Sequence, residues 1–186
     1  MSFARIRYFL FLLSIFITTG SMTALAQHPQ DNHYNDLNSP YAEQLNSPVR
    51  GLNAEEVDNL LEGKGAGYAR MAELNSYPGP RHVLDLRSQL NLSATQIEKI
   101  QKAFNQMQSE AKSLGQTIVA KEQELSEAFT TKKITNVQLH NKTNELARLY
   151  GKLRSIHLQA HLQITPLLSV EQIRKYDRIR GYEQDN

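Results

Sequence analysis

Leu92-Ser93-Ala94-Thr95-Gln96-Ile97 precedes the longest apolar repeat in the 186-residue chain. Ser93 can accept a hydrogen bond from the backbone N–H three residues on, and Gln96 can reach back to the N–H of Ser93. The leucine before the cap and the isoleucine after the glutamine form a hydrophobic staple. The stretch therefore predicts a helix that begins at Ala94.

The same capping pattern recurs elsewhere in the chain. Complete copies with a staple are Leu52-Asn53-Ala54-Glu55-Glu56 and Leu168-Ser169-Val170-Glu171-Gln172. A fourth copy, without the leucine, is Thr135 with Gln138. Each box satisfies backbone N–H groups that have no partner inside the helix. Four helix starts are therefore predicted.

A heptad pattern follows the first box and is interrupted only by Lys121. Its apolar positions are Ile97, Ile100, Phe104, Met107, Ala111, Leu114, Ile118, Leu125 and Ala128. This spacing predicts one helix over residues 94–129 and a turn at 130–134. A second helix is predicted over 136–165, where Pro166 ends it, and a last helix from Ser169 to Gly181.

The predicted length of the first long helix decides the fold class. A helix of this size spans about 54 Å, whereas a globule of the mature chain's size is only about 40 Å across. We therefore expect an all-α fold, a long antiparallel helical hairpin with short flanking helices. A single hairpin leaves apolar surface uncovered, so we expect an elongated or cradle-shaped homodimer. If the turn is centred at Lys132 and Lys133, Gly115 faces Gly151.

The segment before the long helix is predicted to contain shorter elements. Residues 52–61 and 65–74 read as short helices, 77–80 as a proline turn, and 82–90 as a lead into the long helix. Gly63-Lys64-Gly65-Ala66-Gly67 lacks the Gly-Lys-Ser/Thr ending of a phosphate loop, so nucleotide binding is not expected.

The N-terminus reads as an export signal. Residues 1–26 combine Arg5 and Arg7, an apolar run over 8–17 and a final Ala24-Leu25-Ala26. The run is shorter than the roughly 20 residues that a membrane span needs. We therefore expect a signal peptide at 1–26, a flexible acidic tail at 27–50 and a single all-helical domain at 51–186. The mature protein should be periplasmic, with no membrane span after signal cleavage.

Composition and charge exclude several classes of function. The chain has no cysteine, which excludes disulfides, thiol nucleophiles and thiolate metal sites. Residues 27–62 carry seven acids and Arg50, whereas residues 63–186 carry 18 bases and 12 acids, a net charge of +6. A basic excess of this size does not indicate nucleic-acid binding.

The copies at Leu92, Ser93 and Gln96 and at Leu168, Ser169 and Gln172 resemble the LTXXQ motif of the Spy/CpxP family of periplasmic stress proteins, with serine where threonine is usual. Four further stretches are similar to segments of an uncharacterised branch of that family. They are residues 72–80 (AELNSYPGP), 82–86 (HVLDL), 157–162 (HLQAHL) and 176–182 (YDRIRGY).

The resemblance implies an all-helical, cradle-shaped homodimer that binds unfolded proteins without ATP, restrains an envelope-stress sensor kinase, or binds metal. We expect an ATP-independent, chaperone-like protein that binds unfolded or misfolded envelope proteins under stress. The alternative is an envelope-stress or heavy-metal-response regulator that acts by binding a sensor protein or metal.

Basic residues on the long helices and the last helix are the candidate client-binding residues, although each one taken singly reads better as an ordinary solvated side chain. They are Lys99, Lys102, Lys112, Arg148, Lys152, Arg154, Arg174 and Arg178. No arrangement of nucleophile, base and orienting acid emerges, so we expect no enzyme activity and no cofactor.

His157 and His161 are the weak candidates for a metal site, because their i,i+4 spacing on a helix can chelate. His157 also lies seven residues from Tyr150 and from Ile164, which places it on the apolar stripe. We therefore expect it to be a hydrogen-bonded packing residue, with His161 at the edge of the stripe, and no dedicated metal site. A weaker cluster in the tail comprises His28, Asp31 and His33.

Overall fold

The computed structural model describes residues 39–47 and 49–182, and within these ranges all regular structure is helical, with no strand. The prediction of an all-α fold is confirmed for that part of the chain. The expected signal peptide and the start of the expected tail lie outside the described residues. The helices are α1 (Ala54–Glu62), α2 (Arg70–Glu73), α3 (Pro80–Asp85), α4 (Ala94–Thr130), α5 (Asn136–Ile164) and α6 (Val170–Arg180).

Two 3-10 helices complete the secondary structure of the described ranges, Ala42–Asn46 and Thr165–Leu167. None of the helices in these ranges is both long enough and apolar enough to cross a membrane.

All four predicted capping boxes are present. Asn53, Ser93, Thr135 and Ser169 each accept a hydrogen bond from the backbone N–H three residues later. In return, the backbone N–H of each cap residue donates to a side-chain oxygen of Glu56, Gln96, Gln138 or Gln172. The predicted starts of α1, α4, α5 and α6 are therefore confirmed.

Charged and polar side chains of α4 and α5 contact each other. Lys142 Nζ lies 3.1 Å from a Glu124 carboxylate oxygen, and the Tyr150 hydroxyl donates to Glu122 at 3.0 Å. Lys121, which interrupts the heptad pattern, forms ion pairs with Glu124 at 3.1 Å and Glu145 at 3.4 Å. The polar interruption is thus satisfied by charges on both helices.

Two apolar clusters lie along these helices. The first joins the chain around α1 to the middle of α4 and α5 through Val49, Leu52, Leu60, Ala111, Leu114, Ile118, Leu146, Leu153 and Ile156. The second joins α3 and α6 to the first turns of α4 and the end of α5. Its buried residues are Val83, Leu84, Leu90, Ile100, Ala103, Ile164, Leu168 and Tyr176.

The predicted contact between Gly115 and Gly151 is wrong. A Cβ on Gly115 would overlap the carbonyl of Leu60, at the end of α1, whereas a Cβ on Gly151 would meet no atom within 4 Å. The absence of a side chain at position 115 allows α1 to approach α4 closely, and the predicted pairing of α4 with α5 did not include α1.

The end of the segment predicted as a flexible tail, up to Arg50, belongs to the folded unit. Val49 is 3% exposed and belongs to the first apolar cluster, and the Arg50 N–H lies 3.4 Å from the Ser126 hydroxyl. The described residues from Pro40 onward belong to one compact unit. The last residues of the predicted tail are therefore part of the fold, because burial of Val49 holds them there.

The segment between α1 and α4 is less helical than predicted. Gly63 ends α1 in the left-handed region at φ 64°, and Gly67 lies there at φ 78°. Residues 65–69 form turns, so helix α2 covers only Arg70–Glu73 of the short helix predicted over 65–74.

Candidate functional site

The motif glutamines contact each other. Gln96 Nε2 donates to Gln172 Oε1 at 2.8 Å, and Gln172 Nε2 donates to Gln96 Oε1 at 3.2 Å. Each amide also donates to a backbone carbonyl, Gln96 to Leu167 and Gln172 to Leu90. The two motif copies therefore form one hydrogen-bonded unit, here called the glutamine pair, with Ser93 and Ser169 as its caps.

The eight candidate client-binding residues are all exposed. Among the described residues, no carboxylate lies within 4.0 Å of Lys99, Lys102 or Lys152. Arg154 donates to the thioether sulfur of Met71 at 3.5 Å, and Met71 is itself 56% exposed. These eight exposed residues are here called the basic surface, and their side chains can contact other molecules.

Large apolar side chains are exposed on the same three helices. They are Phe129 on α4, Val137 and Leu162 on α5, and Val170 and Ile179 on α6, each between 44% and 70% exposed. Singly exposed apolar residues are ordinary in soluble proteins. Their presence on helices that also carry the basic surface gives those helices both charged and apolar contact sites.

A cleft of about 680 Å³ lies beside the second apolar cluster and was not predicted from the sequence. We call it the histidine cleft, because His157 and His161 line it together with residues of the 63–67 loop, α2, α3, α4 and the end of α6. Charged residues around it are Lys64, Arg70, Glu73, Arg81, Asp85 and Arg180.

Three hydrogen bonds hold the segment before α3 against α5 and α6, and this segment forms one side of the cleft. The Tyr176 hydroxyl donates to Glu73 at 2.7 Å, and the Ser76 hydroxyl donates to Asp177 at 2.6 Å. His161 Nδ1 lies 2.8 Å from the Tyr77 carbonyl oxygen. Burial and the hydrogen bond to the Glu73 carboxylate raise the pKa of Tyr176, so its hydroxyl stays protonated and can donate.

These contacts join three of the four stretches that were singled out in the sequence, and the fourth lines the same cleft. Residues 72–80 meet 157–162 through His161 and meet 176–182 through Tyr176 and Asp177, while His82 and Asp85 of the 82–86 stretch line the cleft. Sequence patterns identified the stretches but not their meeting point, because no periodicity relates residues about 100 positions apart.

The two histidines have different roles from those predicted. His157 is 2% exposed and packs as expected, but its Nε2 has no hydrogen-bond partner among the described residues. His161 is the hydrogen-bonded one, and at 6% exposure it is buried rather than at the edge. Burial, with a smaller effect of His161, lowers the pKa of His157 to about 4, so the ring is neutral near pH 7.

Within the described part of the chain, the histidine pair has no third side chain placed to complete a metal site. Within residues 39–47 and 49–182, no group of three or more His, Cys, Asp or Glu side chains is placed to hold a metal ion. The tail cluster of His28, Asp31 and His33 lies outside the described residues. What the histidine cleft offers is a neutral imidazole, an apolar floor and a charged rim.

No family model, curated protein or solved structure matches this chain.

Proposed function

We propose that the protein is a periplasmic, ATP-independent, chaperone-like protein that binds unfolded or misfolded envelope proteins. In this proposal α4 and α5 act as a long antiparallel hairpin, and two copies form an elongated or cradle-shaped homodimer. The role is non-catalytic and needs no cofactor. Export through a signal peptide at residues 1–26 would bring it to the compartment of its clients.

The observation that carries the proposal is the mixed character of the exposed helices. The basic surface lies on α4, α5 and α6, which also expose Phe129, Val137 and Ile179. An unfolded chain offers carboxylates and apolar side chains in no fixed order. A surface that has contacts for both can bind many such chains without recognising one sequence.

The energies suit reversible binding. An exposed ion pair contributes about 0–1 kcal/mol, and buried apolar surface contributes about 25 cal/mol per Å². Several such contacts together hold a client, while each one breaks easily and without nucleotide hydrolysis. Because exposed charges are screened over about 8 Å at physiological salt, the charged part of the binding should weaken as salt rises.

A homodimer is proposed because a single pair of long helices leaves apolar side chains without cover. Leu162 on α5 is 60% exposed and Phe129 on α4 is 54% exposed. A second copy is the partner that is always present at matching concentration, and symmetric association is the commonest way to cover such surface.

The experiment is an aggregation assay without nucleotide. The mature chain, beginning at Gln27, is mixed with reduced α-lactalbumin, and light scattering is followed over time. We expect scattering to be suppressed at a near-equal molar ratio of the two proteins. Unchanged scattering at a several-fold excess of the protein would contradict the proposed function.

The second candidate is a regulator that binds a sensor protein or a metal. The buried histidine pair is the feature that favours it, since His157 Nε2 has no partner among the described residues. A regulator of this kind would bind one folded partner and leave scattering unchanged, so the same assay separates the two functions.

A further inference from the structure

The histidine cleft has the size and the lining of a small-molecule site. Its volume of about 680 Å³ falls within the range of roughly 300–1,000 Å³ that is usual for ligand pockets. Phe104 and Met107 of α4, Pro80 of α3 and Ala69 contribute apolar surface to it. Ala69 and Pro80 are buried and Phe104 and Met107 are half-buried, so the floor belongs to the packed interior.

The rim carries cations that have few partners within the protein. No carboxylate of the described residues lies within 4.0 Å of Arg70, Arg81 or Arg180. Arg180 is held in place by its hydrogen bond to the Tyr182 hydroxyl at 3.2 Å, with its guanidinium 5.6 Å from the centre of that ring. Burial lowers the pKa of His82, Arg180 and Arg81 lower it further, and the carboxylates of Glu73 and Asp85 oppose them. Both cations and both acids therefore lie near this imidazole of the cleft lining.

We propose that the histidine cleft binds a small amphipathic carboxylate, with its apolar body on the floor and its head group at Arg81 and Arg180. The guanidinium fork matches the two oxygens of a carboxylate and makes charge-assisted hydrogen bonds to them. The apolar body covers Phe104 and Met107 and is removed from water.

A single negative charge fits the rim better than two. The four basic residues of the lining, Lys64, Arg70, Arg81 and Arg180, face two acids, Glu73 and Asp85, which leaves a formal net charge of +2. Lys64 is already paired with Glu62 at 2.7 Å. With Lys64 neutralised by Glu62, the three arginines of the lining against its two acids leave a net charge of +1, which a single carboxylate balances.

His157 supplies the second observation that points to a ligand. Its side chain is more than nine-tenths buried, it lines the cleft, and its Nε2 has no partner among the described residues. A buried polar atom without a hydrogen bond is destabilising, and such atoms are few in native proteins. The ring is stacked on Tyr68 with an angle of 12° between the planes, which holds the imidazole in a fixed position beside the cleft.

The test uses three probes that share one alkyl chain and differ in head group. Decanoate, decan-1-ol and decyltrimethylammonium are each titrated into the mature protein by calorimetry, below their micelle-forming concentrations. We expect saturable binding of decanoate at one site per chain and binding at least about tenfold weaker for the other two, since only the carboxylate makes charge-assisted hydrogen bonds to the arginines. The Cε1–H signal of His157 should shift and saturate in step with decanoate.

Variants assign the site. R81Q, alone and with R180Q, should weaken decanoate binding about tenfold or more, whereas the control pair K99Q and K102Q removes two charges from the basic surface and should leave it unchanged. R81Q alters an exposed side chain, so circular dichroism should show the wild-type helix content. Equal affinity for the three probes, no saturable decanoate binding, or unchanged binding in R81Q with R180Q would each overturn the proposal.

Discussion

The side-chain amides of Gln96 and Gln172 hydrogen-bond each other in both directions, at 2.8 and 3.2 Å, across 76 positions of the chain. Each amide oxygen also accepts from the N–H of its own cap residue, Ser93 or Ser169. Each amide nitrogen has a second acceptor in a backbone carbonyl, so both groups are fully used. The glutamine pair fixes the start of α6 against the start of α4.

The first prediction separates this tertiary role from helix capping. Gln138 forms the same kind of box at Thr135, makes no side-chain hydrogen bond to a more distant residue of the described ranges, and is the matched control. Gln96→Ala and Gln172→Ala should each lower the free energy of unfolding by about 2 kcal/mol, whereas Gln138→Ala should cost less than about 1 kcal/mol. Urea unfolding followed by circular dichroism measures the three values.

A double-mutant cycle tests the contact itself. With both glutamines replaced, the loss should be smaller than the sum of the single losses by about 1 kcal/mol, because the shared hydrogen bonds can be lost only once. Additive losses, or equal losses at Gln96 and Gln138, would show that the glutamine pair adds nothing to the two caps.

The second prediction compares two glycines within long helices. Gly151→Ala should raise the free energy of unfolding by about 0.5–1 kcal/mol, because alanine favours the helix and no atom lies within 4 Å of the new methyl group. Gly115→Ala should lower it by about 1–3 kcal/mol, because the methyl group overlaps the Leu60 carbonyl and forces α1 away from α4. Stabilisation of both variants would mean that α1 does not pack there.

The third prediction concerns acid stability. The pKa of His157 falls from 6.5 to about 4 on folding, so the unfolded chain binds the proton more readily between these values. The stability that the neutral ring contributes is complete above pH 6.5 and is lost as pH falls toward 4, by up to about 3 kcal/mol. Stability should therefore rise with pH across this window.

The measurement is the difference between the free energies of unfolding at pH 7 and pH 4.5. His157→Gln should reduce that difference relative to wild type, whereas the control His140→Gln, which changes an exposed histidine of the same helix, should not. If both variants kept the wild-type difference, His157 would not carry the effect.

The fourth prediction treats the motif serines as structural. Ser93→Ala and Ser169→Ala each remove a cap and should cost about 1 kcal/mol of stability, which lowers the melting temperature. Suppression of client aggregation should persist below that temperature. Loss of suppression with an unchanged melting temperature would instead make the motif a recognition site.

Local sequence signals predicted the helix starts well, but they did not predict contacts between distant parts of the chain. The boxes at Asn53, Ser93, Thr135 and Ser169 are satisfied within four residues of chain, so the sequence alone places them. The partner of Gly115 could not be found in this way, because a missing side chain indicates close packing without saying against what. The prediction that Gly115 faces Gly151 was therefore reasonable from the sequence, but it is wrong.

The candidate site also has one part that the sequence could predict and one part that it could not. Exposure of the basic surface follows from heptad position and was predictable, whereas the histidine cleft depends on contacts such as Tyr176 with Glu73 that no periodic pattern encodes. Burial of His161 was not predicted either, because the segment that covers it, through Tyr77, comes from 84 residues earlier in the chain.

The affinity of the basic surface for an unfolded acidic chain is the most direct test of the proposed function. Fluorescence anisotropy of labelled, reduced α-lactalbumin is measured with wild type, with a variant carrying K99Q, K102Q, K152Q and R154Q, and with the control K132Q and K133Q at the exposed turn. Four lost ion pairs at roughly 0.5 kcal/mol each predict about 30-fold weaker binding at low salt, with wild type and variant converging as salt rises. The control, which removes two charges, should keep an affinity close to that of wild type. Wild-type affinity in the four-residue variant at low salt would contradict the central claim that these helices bind unfolded chains through their exposed cations.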